Sequence, residues 1–148
     1  LEVTPNIVNV VPGKVLFTLD IRHTDKKVLL QFTDDVMKLM GRIAKEVGVE
    51  VRTDLWMDED PVPMDAKLVS ILRAQCEKQG LSYRMMHSGA GHDSQVIAPV
   101  IPTAMLFVPS HNGISHSPQE YTRPEDLAEG IRALAGALYE LAYCSKTL

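Results

Sequence analysis

The chain has 148 residues, of which 45% are hydrophobic and 23% charged, a balance that suits a globular domain and excludes a disordered or low-complexity chain. Lysine and arginine number 15 against 19 aspartates and glutamates, so the net charge is −4, and no basic cluster occurs. Nucleic acid and anionic membrane are therefore not expected partners, and no apolar run approaches the roughly 20 residues of a membrane-spanning helix.

Leu1 to Thr4 is expected to close a strand that begins upstream. Pro5 to Gly13 is a turn-rich loop carrying Asn6, Asn9, Pro12 and Gly13. Val15, Phe17, Leu19 and Ile21 alternate with Thr18, Asp20 and Arg22, which predicts a strand over Lys14 to Arg22 with one buried face. Thr24 is the expected N-cap of a helix whose apolar stripe is Leu29, Phe32, Val36, Leu39, Met40, Ile43 and Val47, with Gly48 as its stop. Val49 to Leu55 reads as another strand. A strand, a helix and a strand over residues 1–60 resemble half of a small ferredoxin-like α+β domain.

Asp58-Glu59-Asp60-Pro61-Val62-Pro63 reads as the linker between two regions, because two prolines cannot sit in a central strand. Its acids are read as linker charge, not as metal ligands or general acids. The second region is 61–148. Asp65 caps a helix with Leu68, Ile71, Leu72 and Cys76 on its apolar stripe and Gly80 at its end. Cys76 and Cys144 form no CxxC pair, which fits core packing and a reducing, cytoplasmic setting.

Tyr83 to His87 is a short predicted strand. In Ser88-Gly89-Ala90-Gly91-His92-Asp93 the small residues let a ligand approach the backbone, although a tight turn has the same composition. A helix is expected from His92 or Asp93 to Ala98, with His92 and Asp93 as a hydrogen-bonded pair that fixes the loop. Thr103 to Val108, between Pro102 and Pro109, reads as a buried strand. His116 follows it, between Ser115 and Ser117, where a ligand is expected beyond the carboxyl end of a sheet strand. An imidazole there suits a divalent metal; a plain surface-loop histidine is the alternative. Thr122 to Glu125 fits a capping box, and Leu127, Ile131, Leu134, Leu138 and Leu141 form a core-packing stripe to about Tyr143.

These motifs carry a resemblance. Asn6-Ile7-Val8-Asn9-Val10-Val11-Pro12-Gly13, Asp20-Ile21-Arg22-His23, Trp56-Met57-Asp58-Glu59-Asp60-Pro61, Met86-His87-Ser88-Gly89-Ala90-Gly91-His92-Asp93 and Gly113-Ile114-Ser115-His116-Ser117-Pro118 resemble the C-terminal half of an M20 metallopeptidase-like amidohydrolase. The branch is that of the allantoate and N-carbamoyl-L-amino-acid hydrolases. The resemblance implies an α/β fragment of a longer enzyme: part of a ferredoxin-like α+β lid, or dimerisation, domain, followed by the C-terminal part of a two-metal α/β catalytic domain.

The resemblance also implies the chemistry. Two divalent ions, Mn2+ or Zn2+, activate a water that cleaves a ureido C–N bond in a small ureido-carboxylate such as allantoate. His116 is the implied metal ligand, and Asn9, Arg22 and Gly91 the implied substrate contacts. Without the resemblance Arg22 reads as a solvated arginine and Asn9 as a turn former. The remaining ligands and the general-base glutamate are expected upstream, and a homodimer through the lid is implied. A non-catalytic dimerisation or effector-binding module is the alternative of a different class.

Overall fold

A computed structural model of the chain describes residues 1–144. The backbone divides into two units, Leu1–Pro61 and Val62–Leu148. In the first, Glu2–Thr4 (β1) pairs antiparallel with Lys14–Leu16 (β2), with Val3 opposite Val15. The loop between them closes on itself: the Gly13 amide donates to the Thr4 carbonyl at 3.0 Å, and the Val10 amide donates to the Ile7 carbonyl at 3.2 Å.

The strand expected over Lys14 to Arg22 stops at Leu16. Its only ladder partner is a strand of three residues, and Phe17 and Leu19 remain exposed. The strand expected at Val49 to Leu55 does not form either. A strand exists through its neighbour's hydrogen bonds, and among the described residues none supplies them. Among the described residues the sheet is one two-stranded ladder, and the ferredoxin-like arrangement expected over residues 1–60 is not seen.

Lys26–Val47 (α1) begins one residue later than Thr24 would place it. Asp25 is its cap, and its carboxylate accepts the Lys27 amide at 2.8 Å and the Val28 amide at 3.4 Å. A carboxylate satisfies these donors and also complements the positive end of the helix dipole, which a hydroxyl does not. Gly48 ends the helix in the left-handed region, φ 74°, with its amide on the Ala44 carbonyl. The inward line is Leu29, Thr33, Val36, Met40 and Ala44; Phe32, Leu39, Ile43 and Val47 from the expected stripe are exposed.

The second unit carries Ala66–Lys78 (α2), Asp93–Ile97 (α3), a 3-10 turn at His111–Gly113, Pro124–Tyr139 (α4) and a π turn at Glu140–Cys144. Asp65 caps α2 as expected, accepting the Leu68 amide at 2.8 Å, while its own amide donates to the Thr103 carbonyl at 2.8 Å. That bond ties the start of α2 to the segment 103–108. Neither this segment nor 83–87 is a strand. Leu106 and Phe107 are exposed, so the buried strand expected there is not observed. The Tyr83 hydroxyl instead donates to Glu77 Oε1 at 2.6 Å, and Arg73 Nε donates to the same oxygen at 2.9 Å. The Tyr83 bond and then the Arg73 bond hold the Glu77 carboxyl below its usual range.

Helix α4 starts without the expected capping box. Arg123 occupies the cap, makes no side-chain cap bond, and pairs with Asp126 through Nε and Nη2 at 2.8 and 2.9 Å. Pro124, Glu125 and Asp126 in the first turn suit a helix start by backbone angle and by charge. The core is formed differently from the expected leucine stripe. Ala133 and Ala137 are 2% and 4% exposed, whereas Ile131 is 65% exposed, and Leu127, Leu134 and Leu138 also face outward. Small residues on this face let α4 pack closely on α2, where Gln75 and Cys76 are buried. A Cβ added at Gly136 would lie 2.5 Å from Gln75 Oε1, and one at Gly130 would lie 2.4 Å from Val108 Cγ1.

Val108 is β-branched and stiff at χ1, so it cannot yield cheaply to such a contact. Gly130→Ala is expected to destabilise the fold by about 1–3 kcal/mol, the usual cost of overpacking. Gly41→Ala is the control: nothing lies within 4 Å of the added Cβ, and a helical glycine-to-alanine change stabilises by up to about 1 kcal/mol. Urea unfolding of the two variants should shift midpoints in opposite directions.

Candidate functional site

The segment before α3 is bound by one hydroxyl. Ser88 Oγ accepts the Ala90 amide at 3.2 Å and lies 2.7 Å from His92 Nε2. The His92 ring packs tilted against Phe107, with centroids 5.5 Å apart and planes at 60°. His92 is the N-terminal flank of α3, with an extended backbone. The expected partner of His92 was Asp93; the observed partner is Ser88. Gly91, His92, Ser94, Met105 and Phe107 line an open concavity, and Ser94 Oγ donates toward Met105 Sδ at 2.9 Å. A Cβ placed on Gly91 would meet only Gln95 Oε1, at 3.9 Å. The Gly91 backbone is therefore open to an approaching ligand atom.

His116 lies on the exposed segment after the 3-10 turn and does not line that concavity. Its backbone is left-handed, φ 56°, and its amide donates to Glu120 Oε2 at 2.9 Å. The Glu120 amide donates to the Ser117 carbonyl at 2.9 Å, closing a turn over Ser117 to Glu120. Histidine is among the few non-glycine residues that adopt positive φ with any frequency, and such outliers concentrate at functional positions. Asn112 and Gly113, also at positive φ, form a left-handed corner before it, and Ser110 Oγ closes the loop onto the Ile114 carbonyl.

In the first unit, Asn9 sits in the exposed turn closed by Ile7 and Val10. Arg22 is exposed, and its guanidinium engages Asp20 in a fork: Nε to Oδ1 at 2.8 Å and Nη2 to Oδ2 at 2.6 Å. This pairing demonstrates that Arg22 presents the bidentate edge that carboxylates match. The Arg22 hydrogen bonds hold the Asp20 carboxyl below its usual range, and Asp20 raises the Arg22 guanidinium in turn.

Of the four residues singled out in the sequence, Asn9 and Arg22 belong to the first unit and Gly91 and His116 to the second. Two further residues, Ser88 and Asp20, carry no role of their own in the sequence reading. Ser88 stands four positions before His92 across a run of small residues, and Asp20 stands two before Arg22 on the same side of an alternating run; those spacings were the available signals. Among the described residues, no group of three or more histidine, cysteine, aspartate or glutamate side chains could hold a metal ion. The donor side chains of the described residues therefore do not make a complete metal site by themselves. Among the described residues no helix is long and apolar enough to cross a membrane.

Residues 3–140 match the family described as Peptidase family M20/M25/M40, and the chain belongs to that family. It is 54% identical over 143 residues to the allantoate amidohydrolase of Escherichia coli (strain K12), covering 97% of this chain and 35% of that protein. It is 46% identical over 139 residues to the allantoate amidohydrolase of Bacillus subtilis (strain 168), covering 94% of this chain and 34% of that protein. A solved amidase of the hydantoinase/carbamoylase family from Burkholderia multivorans superposes with a TM-score of 0.94 at 38% identity, covering 99% of this chain and 35% of that one. The chain spans about a third of the length of these relatives.

A depressed carboxyl pKa means that the Asp20–Arg22 pair contributes above the ordinary carboxylate value and is lost as pH falls through the lowered one. Both side chains are exposed, so the effect on stability is small. Carboxyl NMR titration should place the Asp20 midpoint below the usual aspartate value, and Arg22→Ala should return it to that value.

Proposed function

We propose that the chain is the C-terminal part of a two-metal amidohydrolase that cleaves a ureido C–N bond of allantoate, releasing a ureidoglycine-type product, carbon dioxide and ammonia in purine ureide breakdown. The observation that carries this reading is the likeness, over nearly the whole chain, to two allantoate amidohydrolases. The first unit is read as part of the lid or dimerisation domain, and the second as the C-terminal part of the catalytic domain.

Each residue takes a role from its own chemistry. His116 offers one imidazole nitrogen to a divalent ion, manganese or zinc, both of which accept such a donor. Two such ions, when bound, supply an activated water and polarise the carbonyl under attack. Arg22 binds the substrate carboxylate with the fork it now turns to Asp20. Asn9 adds an amide that can donate and accept, and the open Gly91 backbone takes a polar substrate atom. The other ligands and the general-base glutamate are assigned to the portion of the enzyme outside this chain. A homodimer through the first unit, in the cytoplasm, completes the reading; exposed Phe32, Leu39 and Ile43 on α1 support such a contact.

The likeness to a hydantoinase/carbamoylase amidase supports a second reading, hydrolysis of N-carbamoyl-L-amino acids. Both substrate classes join a ureido group to a carboxylate, so both use the same Arg22 fork. Assaying allantoate beside N-carbamoyl amino acids on the complete enzyme separates the two. Higher kcat/KM on an N-carbamoyl amino acid would overturn the allantoate reading.

The 148-residue chain alone is expected to show no metal-dependent turnover of allantoate, since one protein ligand neither loads nor positions a metal pair. In the complete enzyme His116→Gly should lower bound metal and kcat while leaving the melting temperature close to wild type. Glycine is the informative substitution because it keeps the left-handed backbone unstrained. Unchanged metal content would make His116 an ordinary loop residue.

Arg22→Lys keeps the charge and loses the fork. A hydrogen bond to a charged group contributes about 1.5–3 kcal/mol, so the KM for allantoate should rise roughly tenfold or more, with metal content normal. Asn9→Ala should act in the same direction and less. Wild-type KM in Arg22→Lys would show that the carboxylate is held elsewhere.

A further inference from the structure

Gly91 is bracketed by the two partners of a single hydroxyl. Ser88 Oγ lies 3.2 Å from the Ala90 amide nitrogen on one side and 2.7 Å from His92 Nε2 on the other. Ser88 and His92 are half-buried, while Gly89, Ala90 and Gly91 between them are exposed. A run of small residues has wide backbone freedom, and fixing it costs conformational entropy. Anchoring both of its ends to one oxygen restricts that freedom before any ligand arrives.

The same geometry favours one placement of the proton on the ring. Ser88 Oγ is 3.4 Å from the Ala90 carbonyl oxygen, outside the roughly 2.5–3.0 Å range of O–H···O bonds. The hydroxyl has one proton, and the short contact to Nε2 is where it is best used. A ring nitrogen that accepts is unprotonated, so with Nε2 as the acceptor a neutral His92 ring would carry its hydrogen on Nδ1. Phe107 packs against the ring and limits its rotation.

We propose that Ser88 is a positioning residue, which holds the Gly91 backbone and sets His92 as the Nδ1–H tautomer beside the concavity that takes up an oxygen of the ureide. The inference rests on the proposed contact between substrate and Gly91, and it assigns the residue that keeps that contact in place.

The test uses the complete enzyme with allantoate, the variants Ser88→Ala, Ser88→Thr and Gly91→Ala, and nitrogen-15 spectra of the His92 imidazole. In wild type the spectra should show Nδ1 protonated and Nε2 accepting. Ser88→Ala should lose that preference and raise KM on the order of tenfold, the factor that corresponds to one lost hydrogen bond, at normal metal content. Threonine retains the hydroxyl, so Ser88→Thr should restore both the spectrum and KM; a purely packing role would not follow the hydroxyl in this way. An unchanged His92 spectrum and unchanged KM in Ser88→Ala overturn the inference. Gly91→Ala tests the underlying reading separately, because its Cβ meets no neighbour closer than 3.9 Å. Raised KM there with wild-type behaviour in Ser88→Ala sinks the Ser88 inference alone. Wild-type KM in Gly91→Ala, with the tautomer and KM changed in Ser88→Ala, sinks the Gly91 contact and keeps Ser88 as the residue that positions His92.

Discussion

The close approach of Gly130 to Val108 is the constraint on which the second unit's site depends. With no side chain on Gly130, the Val108 methyl occupies the place a Cβ would take. That contact fixes the segment 103–108 against α4, and the Asp65 amide fixes its other end through Thr103. Phe107, one residue before Val108, is thereby placed where the His92 ring can lean on it. Ser88 then ties His92 back across Gly91. The half-buried contact at Gly130 is in this way connected, through four side chains, to the open glycine at the concavity. No leucine stripe takes part. The buried face of α4 consists of Ala133 and Ala137, so α2 and α4 meet through small residues and the amide of Gln75, and spacing matters more there than the amount of apolar surface.

The helices were legible in the sequence and the sheet was not. Asp65, Gly48 and the stripe of Leu68, Ile71, Leu72 and Cys76 are local signals, because a cap or a stop acts within a few residues. The shift of the α1 cap from Thr24 to Asp25 and the absence of a Thr122 capping box are one-residue errors in choosing among adjacent polar side chains. The strands failed for a different reason. Val51, Met85 and Leu106 stand in runs with strand-like composition, yet they are exposed and no described neighbour bonds to them. Alternation reports that a segment suits a sheet; it carries no information on whether the rest of that sheet belongs to the same chain segment. The same limit applies to α4, where periodicity identified the larger apolar face while packing used the smaller one.

The site residues were legible only in part because their roles depend on partners. Arg22 reads as a surface cation until Asp20 is seen in its fork. Ser88 reads as one polar residue in a glycine loop until its oxygen is found on both sides of Gly91. His116 is the converse case: its position after an apolar run was visible, whereas its left-handed backbone and its amide bond to Glu120 were not. Those two features fix the main chain at His116, with Glu120 engaged on its backbone amide.

The Asp20–Arg22 pair sets a condition on any other carboxylate that would take the same fork. Exchange of one carboxylate for another on the same fork conserves the number and type of hydrogen bonds, so the charge interaction alone yields little net free energy. Asp20 is two residues away and its pair with Arg22 is exposed, and exposed pairs are each worth less than about 1 kcal/mol. A bound anion gains over Asp20 only where water is excluded and the effective dielectric falls. On an exposed guanidinium the fork's geometry selects for a carboxylate, while added strength would require water to be excluded around it. Asp20 itself holds the guanidinium in one orientation through two hydrogen bonds, and because the pair is exposed it holds it only weakly.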